Sequence, residues 1–180
     1  MRRIIIIFSA AFIFAACNTQ EVRYASSSPE IDIYLATIQN FVDGDWNAMR
    51  AHYADTAKLF DNVTATRENV ETIGEVIDRL RENRQFFSSQ YFLPEEQFVE
   101  MVVTDDDETW VNYWGVWVSV LAATEQRFET PMHFTAQFLD GKIVREHAYY
   151  NIAPIILALQ NLSDGSEESA VANESAVAEE

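Results

Sequence analysis

A single cysteine, Cys17, leaves the chain no partner for an internal disulfide. Five glycines in 180 residues leave little room for a glycine-rich phosphate loop, and neither that loop nor a serine elbow is present. Basic residues are scarce: 12 Lys and Arg face 29 Asp and Glu, for a formal charge of −17. Such a surface excludes nucleic acid as a partner and excludes electrostatic docking on anionic lipid. The histidines are three, His52, His133 and His147, and they lack metal-ligand spacing, so no metal is expected. No cofactor motif is present, and none is expected. The long apolar run, Ile4–Ala16, is too short to cross a bilayer, which takes about 20 residues.

That run is nevertheless informative. Arg2 and Arg3 precede it, and the small residues Ala15 and Ala16 close it immediately before Cys17. This is the pattern of a signal peptide over residues 1–16. The stretch Phe14-Ala15-Ala16-Cys17 resembles the bacterial lipobox, with Phe14 standing where leucine or a small aliphatic residue is usual. The resemblance implies an exported protein, lipid-anchored to a bacterial cell-envelope membrane through acyl chains on Cys17. Loss of Arg2 and Arg3 with the leader takes the charge to −19. Residues 17–29, polar and serine-rich up to Pro29, read as a tether. Residues 163–180 hold six acids, no base and the near-repeat ESAVAN/ESAVAE, and read as a disordered acidic tail. One domain remains, over residues 30–162.

That domain is organised around Trp110–Thr124, fifteen residues with three tryptophans, a tyrosine and a run of valines. β-Branched and aromatic residues suit a pleated, packed surface. At period two, one face carries Trp110, Asn112, Trp114, Val116, Val118 and Val120; the other carries Val111, Tyr113, Gly115, Trp117, Ser119 and Leu121. Both are mostly apolar, so a central strand covered on two sides is expected. Fully extended it would span roughly 50 Å at about 3.3 Å per residue, which is long enough to require bending, and Gly115 is the expected kink or bulge. A long bent strand implies a curved sheet whose concave face holds a pocket.

Around it, helical periodicity predicts helices over Glu30–Asp43, Trp46–Tyr53 (capped by Asp45) and Val70–Phe87, the last with Phe87 inward and Arg79, Arg81 and Arg84 outward. Strands are expected at Ala57–Asn62, Phe98–Thr104, Thr130–Leu139 and Lys142–Asn151, the last two joined by an Asp140-Gly141 hairpin turn. A short helix over Ile152–Leu162 closes the domain. The class is α+β: three early helices with an antiparallel sheet, in the order ααβαββββ.

The phrases Phe41-Val42-Asp43-Gly44-Asp45-Trp46, His52-Tyr53-Ala54-Asp55 and Lys58-Leu59-Phe60-Asp61 resemble the opening of SnoaL-like domains of the nuclear-transport-factor-2-like superfamily. Asp140–Glu146 and Tyr149-Tyr150-Asn151 resemble their ending, so the likeness runs from about Glu30 to Leu162. It implies a cone-shaped barrel, a curved sheet wrapped around helices over a deep apolar pocket. It also implies a homodimer through the convex sheet face. Activity does not follow from the fold.

Carried over residue by residue, the superfamily's catalytic sets are incomplete. Asp61 falls where ketosteroid isomerase-like members carry a general-base aspartate; the alternative is that Asp61 turns the chain at Asn62. The isomerase's oxyanion donors fall at Thr37 and near Phe134, neither of which matches, with His133 one register away. In the limonene epoxide hydrolase-like run the base position is Ala148, and Asn151 replaces the final acid. Val144, Glu146, Ala148 and Tyr150 should face the pocket, with Arg145, His147 and Tyr149 outside. Glu146 is then a second acid within the pocket, with Tyr150, Thr37 or Tyr34 as hydrogen-bond donor, unless it is solvated at the sheet edge. Trp114 and Phe134 are expected to line the pocket. The leading expectation is a module that binds a small, mostly apolar molecule. An isomerase, lyase or cyclase using Asp61 with Glu146 stands beside it. So does a dimeric envelope scaffold working through a convex face with Tyr113, Trp117 and His133.

Overall fold

The computed structural model describes residues 23–63 and 70–164. The signal peptide, Cys17, tether residues 17–22 and tail residues 165–180 lie outside the described residues.

Helix α1 (Pro29–Asp43) starts where Ser28 accepts a hydrogen bond from the Ile31 amide and Pro29 takes the first turn, and Gly44 caps its end. Its buried positions Ile31, Tyr34 and Thr37 fall at helical spacing and face the sheet. Asp45 caps α2 (Trp46–Ala51) through the Ala48 amide at 3.0 Å. Helix α3 (Ile73–Arg84) opens on a capping box between Thr72 and Glu75. It is shorter than its periodicity predicts, because Phe87 already belongs to a strand. A further helix, α4, occupies residues 153–164, two residues into the stretch read as tail.

The sheet has seven strands: β1 (Tyr24–Ala25), β2 (Tyr53–Asp61), β3 (Phe87–Phe92), β4 (Phe98–Val103), β5 (Thr109–Leu121), β6 (Arg127–Leu139) and β7 (Lys142–Tyr150). They run β1-β4-β5-β6-β7-β2, an open path, with β3 also paired to β5. The architecture is the expected α+β cone, a curved, unclosed sheet over helices. Two strands add to the expected order. β1 turns tether residues Tyr24 and Ala25 into a short edge on β4, and β3 fills the rest of β5's flank. The sheet is mixed and not wholly antiparallel, because β2 lies parallel to β7.

The long strand is the centre of the sheet. Its register with β6 is unbroken from Thr109 to Val120, so Gly115 is no bulge. The glycine is needed for space: a Cβ there would lie 2.6 Å from Tyr113 Oη and 3.0 Å from Phe92 Cδ1. On β5's other edge β4 pairs as far as Trp114 and β3 begins at Trp117, with the Leu93–Glu96 turn between. The Asp140-Gly141 turn has positive φ at both residues, 50° and 71°, as a tight two-residue hairpin requires.

One face of β5 is core: Val111, Tyr113, Trp117 and Leu121 are buried in one cluster with Ile31 and Tyr34 of α1 and Ile73, Val76 and Ile77 of α3. Tyr113 and Trp117 therefore do not lie on the convex surface, correcting that part of the scaffold expectation. The opposite face is only partly covered. Val118 is buried, whereas Trp114 is 38% exposed.

Candidate functional site

The concave face, α1, α3 and α4 line a cavity of about 250 Å³ that is partly open to solvent. That is just below the usual range of ligand pockets, about 300–1,000 Å³. Its wall is mostly aromatic and aliphatic, with a polar group at each of two poles.

Glu146 forms the first pole. It sits on β7 opposite Ala136 of β6 and Leu59 of β2, which places its side chain on the concave face. Its Oε2 accepts from Tyr53 Oη at 2.9 Å and from Tyr34 Oη at 3.2 Å. Glu146 is partly buried and lines the cavity. Burial pushes its pKa up to about 7, while the Tyr53 and Tyr34 hydroxyls pull the other way by favouring the charged form. Burial and the Glu146 charge hold both phenols well above their ordinary range, so they stay neutral donors. The sheet-edge alternative for Glu146 does not occur. Thr37 does not serve the carboxylate, because its hydroxyl bonds back to Ile33 O at 2.9 Å within α1. Nor does Tyr150, which points to the second pole.

The second pole gathers Asp61, Glu71, Arg79 and Tyr150. Arg79 forks onto Glu71, with Nε at 3.1 Å and Nη2 at 2.6 Å, and its Nη2 stands 3.5 Å from Asp61 Oδ2. Burial alone would lower the Arg79 pKa, but the hydrogen bond and charge of Glu71 outweigh it and the guanidinium is held charged. Tyr150 Oη lies 3.5 Å from Asp61 Oδ2, and burial, then the Asp61 charge, pushes its pKa up to about 12. The expectation that Arg79 points outward is thus corrected, since it lines the cavity. Arg84 also turns inward, donating to the Val42 carbonyl at 2.9 Å at the end of α1.

Asp61 does both of the things open to it. Its Oδ1 accepts from the Val63 amide at 2.9 Å, turning the chain, while Oδ2 faces Arg79 and Tyr150 within the cavity. Asn62 fixes that corner by bonding both ways to the Tyr150 backbone, at 3.1 and 3.0 Å.

Tyr34, Thr37, Asp61, Phe134, Glu146 and Tyr150 thus line one cavity. Trp114 does not, and its placement there is corrected. It stacks on His133 at 4.5 Å on the outer face, because successive residues of a strand alternate faces and Trp117 holds the inner one. Tyr53, Glu71, Arg79, Arg84 and Trp117 are among the cavity residues that sequence reasoning missed. Trp117 Nε1 has no hydrogen-bond partner among the described residues, leaving an unspent donor on a residue of the cavity wall.

No family model and no curated protein matches the chain by sequence. Solved structures do match by shape. A candidate polyketide cyclase from Xanthomonas campestris is 18% identical, covering 74% of this chain and 98% of its own, with a TM-score of 0.54. A protein from Catenulispora acidiphila with a ketosteroid isomerase-like fold, in complex with trimethylamine, is 14% identical over 68% of this chain and 87% of its own, TM-score 0.54. A nuclear-transport-factor-2-like protein of unknown function from Burkholderia pseudomallei is 13% identical over 72% and 96%, TM-score 0.56. The chain therefore has the nuclear-transport-factor-2-like fold, and the SnoaL-like phrases of its sequence are consistent with that fold.

Proposed function

We propose that the protein binds a small, mostly apolar molecule in this cavity, with Glu146 as the polar anchor and without the known catalytic sets of the superfamily. The observation that carries this reading is an aromatic-walled cavity with a carboxyl group held at one end by two phenols. Thr37 and Phe134 stand at the isomerase's oxyanion positions and supply no donor to the cavity, so an enolate would lack the usually dominant electrostatic stabilisation. Ala148, at the hydrolase base position, has no proton to move. A thermal-shift screen tests the proposal. Compounds that fit should raise Tm by several degrees, and the effect should vanish in Ala148→Phe, which fills the cavity. A saturating screen without a shift contradicts it.

A second reading, acid–base catalysis of an isomerase, lyase or cyclase type, is favoured by one observation. Glu146 titrates near neutrality in the same cavity as Asp61. Here Glu146 is the stronger candidate base, because Asp61 is engaged by Arg79 and the Val63 amide. Turnover of a small carbonyl compound that is lost in Glu146→Gln would establish this reading.

We place the domain outside the cytoplasm, anchored through acyl chains on Cys17, on the strength of its leader sequence. We also propose a homodimer through the convex face, where Phe98, Trp114 and Tyr149 are exposed around His133.

A further inference from the structure

We infer that the cavity's occupant is a small organic cation, whose ammonium group pairs with Glu146 while its apolar body fills the aromatic wall. The inference rests on the ligand-cavity reading above and names the ligand's class.

Four observations carry it. First, Glu146 is a partly buried acid on the cavity wall with no cation of its own. No ion pair among the described residues includes it, and its hydrogen-bond partners are two neutral phenols. A buried carboxylate is costly unless paired, so a positive ligand has the most to gain at this place. Second, both phenols converge on Oε2, and Oε1 takes no hydrogen bond among the described residues, leaving one oxygen for a ligand. Third, the wall is ring-rich. Tyr34, Tyr53 and Phe134 line the cavity with Glu146, and Phe41, Phe92 and Trp117 continue the lining, their rings 6.4 Å apart from Phe41 to each of the other two. Aromatic faces attract an organic ammonium, most strongly once it is desolvated. Fourth, charge favours the same sign at every scale. The cavity wall sets Asp61, Glu71 and ionised Glu146 against Arg79 and Arg84, a net of one negative charge, and the whole chain stands at −17. Such a field raises the local concentration of cations and opposes anions.

The rival is a neutral ligand that accepts a hydrogen bond from protonated Glu146. The two differ in the sign of their pH dependence. The groups facing Glu146 are Tyr34 from α1 and Tyr53 from β2, with Tyr113 of β5 beside Tyr34, and burial keeps all three phenols protonated through neutral pH. Between pH 5.5 and 8.5 the carboxyl is therefore the group that changes charge at this pole.

Calorimetric titration of the full chain with benzyltrimethylammonium and with its uncharged isostere, 2,2-dimethylpropylbenzene, tests the inference. The cation's charge is permanent, so any pH dependence belongs to the protein. At pH 8.5 the cation should bind about tenfold or more tighter than the isostere, and at pH 5.5 about tenfold weaker than at pH 8.5. Glu146→Gln should abolish the preference for charge. Tyr53→Phe removes a bond that favours the ionised form, so it should keep the preference and move its midpoint to higher pH, a readout that survives if Glu146→Gln fails to fold. Equal or tighter binding of the isostere, with affinity falling as pH rises, overturns the cation inference and leaves the ligand cavity standing. Binding of neither compound overturns the cation inference; the ligand-cavity reading falls only if the saturating thermal-shift screen is also without effect.

Discussion

At the scale of single residues, Glu146 governs the account. Its pKa in the folded state, about 7, lies above the ordinary value of 4.5 because burial disfavours the charge. The folded protein therefore holds a proton that the unfolded chain releases between those values. This contribution to stability is fully present below pH 4.5 and is lost as pH rises toward 7. The whole span is worth roughly 3 kcal/mol at about 1.36 kcal/mol per pH unit. Denaturant unfolding at pH 4.5 and pH 8 should show wild type losing stability across the interval by that order relative to Glu146→Gln. Parallel curves would mean that Glu146 is solvated. Among the residues of the site, Tyr34 was legible from helix spacing, and Glu146 from the family resemblance that set which face of its strand turns inward. Tyr53 was not, because its bond to Glu146 joins residues 93 positions apart and no local pattern encodes it. Trp114 was misplaced for a related reason. Period two separates the faces of β5, but when both are apolar it does not say which one turns inward.

At the scale of elements, β5 and the helix caps bear the weight. Gly115→Ala would set a methyl group against the Tyr113 ring in the middle of the core. Overpacking of this kind costs about 1–3 kcal/mol, measurable as a lower unfolding midpoint. An unchanged midpoint would mean that the Tyr113 ring moves aside freely. Thr72→Ala breaks the capping box of α3 and should cost about 1 kcal/mol by the same measurement. The elements with strong periodicity were legible: α1, α2, β5, and the β6–β7 hairpin with its Asp140-Gly141 turn. β3 was hidden because Phe87 and Leu80 share a helical spacing with Ile73 and Ile77, so the pattern continues past the point where α3 stops at Arg84. Pairing with the far half of β5, and not local propensity, makes Phe87–Phe92 a strand. The parallel placement of β2 beside β7 is likewise a tertiary choice, secured at its end by the Asn62 side chain.

At the scale of the molecule, the outer sheet face carries a ladder of rings. Phe98, Trp114, His133 and Tyr149 follow one another across β4, β5, β6 and β7, with centroids 5.4, 4.5 and 5.9 Å apart. Phe98, Trp114 and Tyr149 remain 52, 38 and 48% exposed. A self-complementary apolar face of this kind suits a two-fold contact. Paired substitution of Trp114→Lys and Tyr149→Lys should convert a dimer into a folded monomer, read by light scattering after size exclusion. A wild-type monomer contradicts the proposed dimer.

The central claim is that the cavity holds a small molecule anchored at Glu146. Native mass spectrometry of the protein purified from a bacterial host tests it most directly. A co-purifying adduct of a few hundred daltons or less is expected on the wild type, lost from folded Glu146→Gln and from Ala148→Phe. An adduct that persists in both variants would place the ligand elsewhere. A wild type that stays empty and takes up nothing from a saturating library would contradict the claim.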